Sequence, residues 1–199
     1  MKLQPIVFIC ALAVGAPAVA HAQTFGVMES AETINKGNFK IRGNPMFQFG
    51  KDADATTGVA LAGGYGFTEI FDLEGALAFY DGVTFFGADA EVWLLRNRGL
   101  DFSVSGGLHR RTGDNTEDMT GIDLMFLGSK RVSPKLELYG GLDMAFEKIK
   151  DGERFETVHL VPGFEYKIGQ DLDLLSEVGI SLNDRARHYF ALGLAYYFR

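Results

Sequence analysis

Apolar and polar side chains change places at every residue over stretch after stretch of this chain. In "NFKIRGNPMFQF", residues 38–49, Phe39, Ile41, Pro45, Phe47 and Phe49 take one parity, while Asn38, Lys40, Arg42, Asn44 and Gln48 take the other. A period of two marks a β-strand with one apolar and one polar face, because successive side chains of a strand point to opposite sides. The pattern recurs near 57–67, 72–80, 85–95, 100–110, 120–130, 136–147, 156–167, 172–182 and 189–198, which predicts ten strands. At about ten residues each they are longer than the usual five or six of globular proteins. Twenty-five glycines and an aromatic content of 13% suit strands joined by turns and disfavour a disordered chain.

The connections alternate in kind. Residues 68–70, 96–99, 132–135 and 168–171 are tight, whereas 51–57, 80–84, 111–119, 148–154 and 183–188 are polar and mostly longer. A ladder of antiparallel hairpins with short turns at one end and charged loops at the other follows. With an even strand count, both ends of the ladder lie on the short-turn side.

The apolar face carries aromatics at both ends of the strands. Phe39, Tyr65, Phe67, Phe102, Phe164, Tyr166, Tyr196 and Phe198 fall near the short turns, and Phe47, Phe49, Phe79, Phe146 and Phe190 near the long loops. Between them run aliphatic residues such as Ile41, Leu61, Leu77, Val104, Leu124, Leu138, Leu160, Ile180 and Leu192. Two aromatic belts around an aliphatic band match the interface preferences of a membrane barrel. The opposite face carries Lys40, Arg42, Glu74, Asp89, Glu91, Asp101, Asp123, Glu137, Asp143, His159, Glu165, Asp173 and Glu177. In a soluble β-sandwich this would be the solvent face, but strand length and aromatics at the strand ends argue against that arrangement. Pro45 and Pro162 remove ladder donors, so a bulge or broken pairing is expected at each. Trp93 shares parity with Asp89 and Glu91, and a bulge within 89–95 is expected to turn it outward.

The last segment, "YFALGLAYYFR", is the most regular, with Phe190, Leu192, Leu194, Tyr196 and Phe198 on one parity. It resembles the carboxy-terminal assembly signal of bacterial outer-membrane proteins, from which it departs by the Arg199 that follows the last aromatic. The whole pattern resembles the small bacterial outer-membrane β-barrel family. That resemblance implies a closed antiparallel up-and-down transmembrane β-barrel of ten strands, with eight the alternative count, in the bacterial outer membrane. It also implies as partners the barrel-assembly machinery, outer-membrane lipid and lipopolysaccharide. Closure has a physical reason, since an open edge in lipid would leave backbone groups unpaired at several kcal/mol each.

Residues 1–22 read as an export signal, with Lys2 before an apolar core from Ile6 to Val19 and the small-x-small site Ala20-His21-Ala22. The expected division is a signal over 1–22, a periplasmic leader over 23–36 and the barrel over 37–199. The leader is expected to be flexible, with a short helix at 28–33 in the periplasmic mouth as the alternative. Cys10, the only cysteine, lies in the signal, so the processed chain is expected to hold neither disulfide nor lipid anchor. Loss of Lys2 takes the net charge from −7 to −8, which argues against nucleic acid as a partner.

Ten strands enclose more space than the eight whose side chains just fill a barrel. Gly58, Ala60, Ala62, Gly64, Gly66, Ala76, Ala78, Ala191, Gly193 and Ala195 leave one sector of the wall bare. Either these residues make room for large ones across the lumen, such as Tyr139, Glu137, Arg42 and Lys40, or a narrow passage remains. Inward carboxylates outnumber the inward cations Lys40, Arg42, His109, His159 and Lys167, so a passage would favour cations. The expected functions are a narrow cation-favouring pore for small solutes or a structural or interaction barrel.

A rim hydrolase acting on lipid or peptide is the alternative. His109 and His188 fall near the extracellular rim, with Asp81, Asp114, Asp118, Asp184 and Ser181 close by topology. Ser105 is about 13 Å from His109 at strand rise, too far for a hydrogen bond. "GDNTED", 113–118, offers oxygen ligands without the spacing of a calcium loop. No catalytic residue, metal or cofactor is therefore assigned. Arg110, Arg111, Lys148, Lys150, Arg154, Arg185 and Arg187 at this rim are expected to meet lipid phosphates.

Overall fold

The computed structural model describes residues 26–50, 53–97, 99–113 and 116–199. The predicted export signal, the first residues of the leader, and Asp114 and Asn115 of the 111–119 loop lie outside them. Ten strands form in chain order: β1 Phe39–Gly50, β2 Ala53–Gly66, β3 Phe71–Tyr80, β4 Val83–Asn97, β5 Leu100–Gly113, β6 Thr116–Arg131, β7 Leu136–Ile149, β8 Arg154–Lys167, β9 Leu172–Ser181 and β10 His188–Phe198. Each pairs antiparallel with its sequence neighbours, and β10 closes on β1 through pairs from Phe39↔Phe198 to Phe49↔His188. Among the described residues no helix is long and apolar enough to cross a membrane.

The strands outrun the sequence pattern at the long-loop end, where β2 and β6 begin four residues earlier than their alternation shows. Polar residues there can continue a ladder in water, since they need no apolar face. One predicted loop shrinks to two residues. Asp81 and Gly82, with φ of 43° and 75°, form the tight hairpin in which Tyr80 pairs with Val83, because positive φ at both positions matches the twist of the flanking strands.

The outward face is apolar, with Ile41, Leu61, Leu108 and Ile122 each more than half exposed. Both aromatic belts form. Phe39 and Tyr65 lie 4.6 Å apart and Tyr196 and Phe198 4.8 Å apart near the short turns, while Phe47 stacks near Phe190 towards the loops. Neither proline makes a bulge. Pairing of β1 with β10 lapses at residues 44 and 45, and that of β8 with β9 at 161 and 162, with the register unchanged on either side. Each missing proline donor breaks the ladder locally without shifting it. A bulge does occur in β4, but between Trp93 and Leu95. It therefore turns Leu95 outward to face Phe102, while Trp93 keeps the parity of Glu91, opposite Ser103.

Candidate functional site

The polar face encloses a lumen, and the chain's own amino-terminal segment occupies its short-turn half. Val27, Met28, Ala31 and Ile34 are at most 4% exposed. The expected free leader is thus corrected: residues 26–34 are neither free nor helical but lie inside the barrel as irregular chain with a bend at 31–32, and Asn35 and Lys36 are exposed at its mouth. At the mouth, Gly37 donates its N–H to Gly66 O at 2.8 Å, Ile34 N–H reaches Asp72 Oδ2 at 2.5 Å, and Arg131 pairs with Glu32 at 2.6 Å.

Deeper in, Glu177 of β9 takes four hydrogen bonds. Its Oε1 accepts from Val27 N–H at 2.7 Å and Tyr189 Oη at 2.8 Å, and its Oε2 from Met28 N–H at 2.6 Å and Tyr139 Oη at 2.9 Å. Gly26 and Met28 both have positive φ, 79° and 48°. The two successive N–H groups between them converge on one carboxylate, as backbone nests do on anions. Arg42 then donates to Val27 O at 2.7 Å and to Glu74 Oε1 at 2.5 Å, while Lys40 bonds Glu74 at 2.6 Å and lies 3.5 Å from Glu29.

The bare wall sector is the seat of this segment. A Cβ on Gly64 would meet Ile34, one on Gly66 would overlap the backbone of Ile34 and Asn35, and one on Gly193 would come within 2.7 Å of Met28. The small residues thus make room chiefly for the chain's own strap. Two other lumen glycines fit the simpler expectation, Gly163 lying under the Tyr139 ring and Gly179 under Tyr189. Burial raises the carboxyl of Glu29 well above its ordinary 4.5, helped by Glu91 and opposed by Lys40. Burial likewise raises Glu32, with Glu137 adding to the effect and Arg131 opposing it.

All thirteen predicted lumen residues lie on the inner side. Lys40, Arg42, Glu74, Asp101, Glu137 and Asp173 are buried, Glu91, Asp143, His159 and Glu177 almost completely so, and Asp89, Asp123 and Glu165 are half-buried. A space of about 70 Å³ beside Gly26 is bordered by Arg42, Glu74, Asp89, Asp123 and Asp143. A second of about 80 Å³ at the short-turn mouth is bordered by Lys40, Asp72, Glu165, Asp173 and Tyr197. Glu29 borders both. Sequence reasoning missed Asp72 and Glu147, although Asp72 shares the parity of Glu74 and Glu147 that of Asp143.

Above the segment, His109 lies between two carboxylates, with Nδ1 2.6 Å from Asp123 and Nε2 2.9 Å from Glu147, and Phe85 stacks on its ring at 5.0 Å. Both ring nitrogens then donate, as in an imidazolium, and neither is left to take a proton from a hydroxyl. His159 Nε2 donates to Arg187 O at 2.9 Å. His188 Nδ1 accepts from Ser181 N–H, and the Ser181 hydroxyl donates to Asn183 O. Among the described residues, no nucleophile, base and acid converge at these rings. Among the described residues no group of three or more acids, histidines or cysteines is arranged to hold a metal. Arg111 and Arg187, expected to meet lipid phosphates, instead turn inward, towards Met119 Sδ at 3.0 Å and Thr56 Oγ1 at 3.1 Å.

The residues of the proposed assembly signal, Phe190, Leu192, Leu194, Tyr196 and Phe198, all face outward on β10. Arg199 beyond them reaches Gln170 O and Asp171 at 2.9 Å each, fastening the chain end to the β8–β9 turn.

The family model described as "Outer membrane protein beta-barrel domain" matches residues 6–198. No curated protein matches the chain. Among solved structures, the beta domain of a Bordetella autotransporter is similar with 12% identity and a TM-score of 0.58, over 82% of this chain and all of that one. An outer membrane channel from Pseudomonas putida F1 is similar with 11% identity and a TM-score of 0.55, over 84% of this chain and 98% of that one. At such identities the likeness is one of fold.

Proposed function

We propose that this chain, which belongs to the outer membrane protein beta-barrel domain family, is a narrow cation-favouring passage stoppered from the periplasmic side by its own residues 26–36. The observation that carries this reading is how the stopper is held. Four buried apolar side chains, Val27, Met28, Ala31 and Ile34, seat it, and its polar grips are Glu177 on two amides, Arg42 on one carbonyl, Asp72 on another amide and Arg131 on Glu32. Water can replace each polar contact when the segment leaves, and although exposing the larger apolar side chains costs about 1.5–3 kcal/mol each, the ten-strand ladder stays paired, so withdrawal costs less than unfolding the barrel. The lumen it would vacate is lined by an excess of carboxylates, to which Asp72 and Glu147 add, and such a lining favours cations.

The processed protein and a variant beginning at Gly37 are reconstituted in planar bilayers. The processed protein is expected to stay mostly closed and the shortened one to conduct potassium in preference to chloride. Absence of conductance in the shortened barrel, or preference for chloride, overturns the reading. The second reading is a closed structural barrel, favoured by the Lys40, Arg42 and Glu74 bridge, which would fill the lumen even without the stopper.

A further inference from the structure

The wall of the lumen holds residues 26–34 largely by their main chain. At Val27 both polar groups of the backbone are taken, the N–H by Glu177 Oε1 and the carbonyl oxygen by an Arg42 N–H, each at 2.7 Å. Met28 N–H goes to the other oxygen of Glu177 at 2.6 Å, and Ile34 N–H to Asp72. These wall groups stand on β9, β1 and β3, so they address the strap from different sides. Its own charged side chains are held more loosely. Glu29 lies 3.5 Å from Lys40, and the pair of Glu32 with Arg131 stands partly in solvent.

Beside the main-chain contacts lie seats for small and apolar side chains. Met28 packs in a cluster with Met46, Leu175, Ala191 and Ala195, and Val27 and Ala31 in another with Met125, Leu127 and Val161. Gly193 and Gly64 leave the room that Met28 and Ile34 enter. Charged groups aimed at backbone N–H and C=O read what every peptide carries, while the seats select among side chains, the division used in peptide-binding grooves. A permanent plug would gain more from apolar residues in place of Glu177, Arg42 and Asp72, because burying charge costs desolvation that the partners at best return.

We infer that the solutes of this passage include short peptides, which bind in the seat of residues 26–34 in place of the strap. The inference rests on the stoppered-passage reading and names a class of molecule the passage takes, the strap being a tethered stand-in for it. An inorganic cation would meet Glu177 and Asp72 but be repelled by Arg42, and a sugar has no side chains for the apolar seats. Tethering gives the strap an effective concentration on the order of millimolar, so a free peptide competes poorly until the strap is loosened.

The test uses the full processed protein with the strap altered and the wall intact, as A31D and, for a second host, I34D, with folding checked by migration on unheated gels. A fluorescent peptide of residues 26–36 is titrated in neutral detergent and read by anisotropy, which needs no conductance. Each host is expected to bind it at least about tenfold tighter than the unaltered protein, because a carboxylate in an apolar seat drives the strap out. A peptide with ester oxygens in place of the N–H groups of Val27 and Met28 is expected to bind the hosts roughly a hundredfold more weakly, and E177Q in either host to cost the unmodified peptide about as much. A peptide with glutamine for Glu29 and Glu32 is expected to lose less than about tenfold, since Lys40 keeps Glu74 and Arg131 keeps Glu137. Absence of binding to both hosts, equal binding of the ester peptide, or a greater loss from the glutamine peptide than from the ester peptide would each overturn the inference. Binding by a barrel that never conducts supports the seat and counts against the passage alone, whereas conductance without binding overturns this inference alone.

Discussion

Replacing Glu177 with glutamine probes the deepest grip on the stopper. In the native arrangement each carboxylate oxygen accepts one backbone N–H and one tyrosine hydroxyl. An amide keeps one oxygen and presents an NH₂ group where the other stood. The tyrosine on that side can rotate its hydroxyl to accept, but the backbone N–H of Val27 or Met28 cannot, and it faces a donor. Loss of one charge-assisted bond and weakening of the other together disfavour the seated segment by about 3 kcal/mol, or roughly a hundredfold in its withdrawn population. Ala31, fully buried in the segment, offers the readout as A31C, since the only native cysteine, Cys10, lies in the stretch predicted to be an export signal. A polar maleimide reacts only with the withdrawn form, and when reseating is fast its rate follows that population. Labelling of A31C/E177Q is expected to be about a hundredfold faster than that of A31C alone, with more frequent channel openings. Rates equal within threefold would refute the assignment of Glu177 as the anchor.

Gly64→Leu fills the seat of Ile34 and is expected to raise open probability without changing ion preference, as checked by single-channel recording. Acid should close the passage. Glu29 and Glu32 have raised values when seated and ordinary ones, near 4.5, when withdrawn, so the seated state holds more protons as pH climbs above 4.5 and loses ground until the raised values are passed. Open probability should therefore grow with pH from about 4.5, and a flat profile in the double variant E29Q/E32Q identifies the groups. Phe198→Ala removes ring contact with Tyr196 beside the closing β1–β10 seam and is expected to slow barrel assembly, seen as a larger fraction migrating as unfolded protein on unheated gels.

Strand number, strand parity and the two aromatic belts were legible because each depends on neighbours two residues apart. The inward placement of residues as distant as Lys40 and Glu177 followed from parity alone. The lumen's contents were not legible, because they depend on which stretch of chain folds back into the space. Residues 26–36 carry no period, and their partners Asp72, Arg131 and Glu177 are 38 to 150 positions away from the residues they hold. A trace existed in Gly64, Gly66 and Gly193, small residues crowded into one sector, but alternation says only that space is left and not what fills it. Trp93 shows the same limit at a single position, since a bulge was foreseen while its place, one residue beyond the ring, was set by pairing across β4 and β5.

By itself the sequence determined a cylinder that turns its apolar side to lipid, since side-chain alternation and turn chemistry are local and a lipid environment forbids an open edge. Only the tertiary structure decided that this cylinder is partly filled by residues 26–34, because that depends on contacts between residues far apart in the chain.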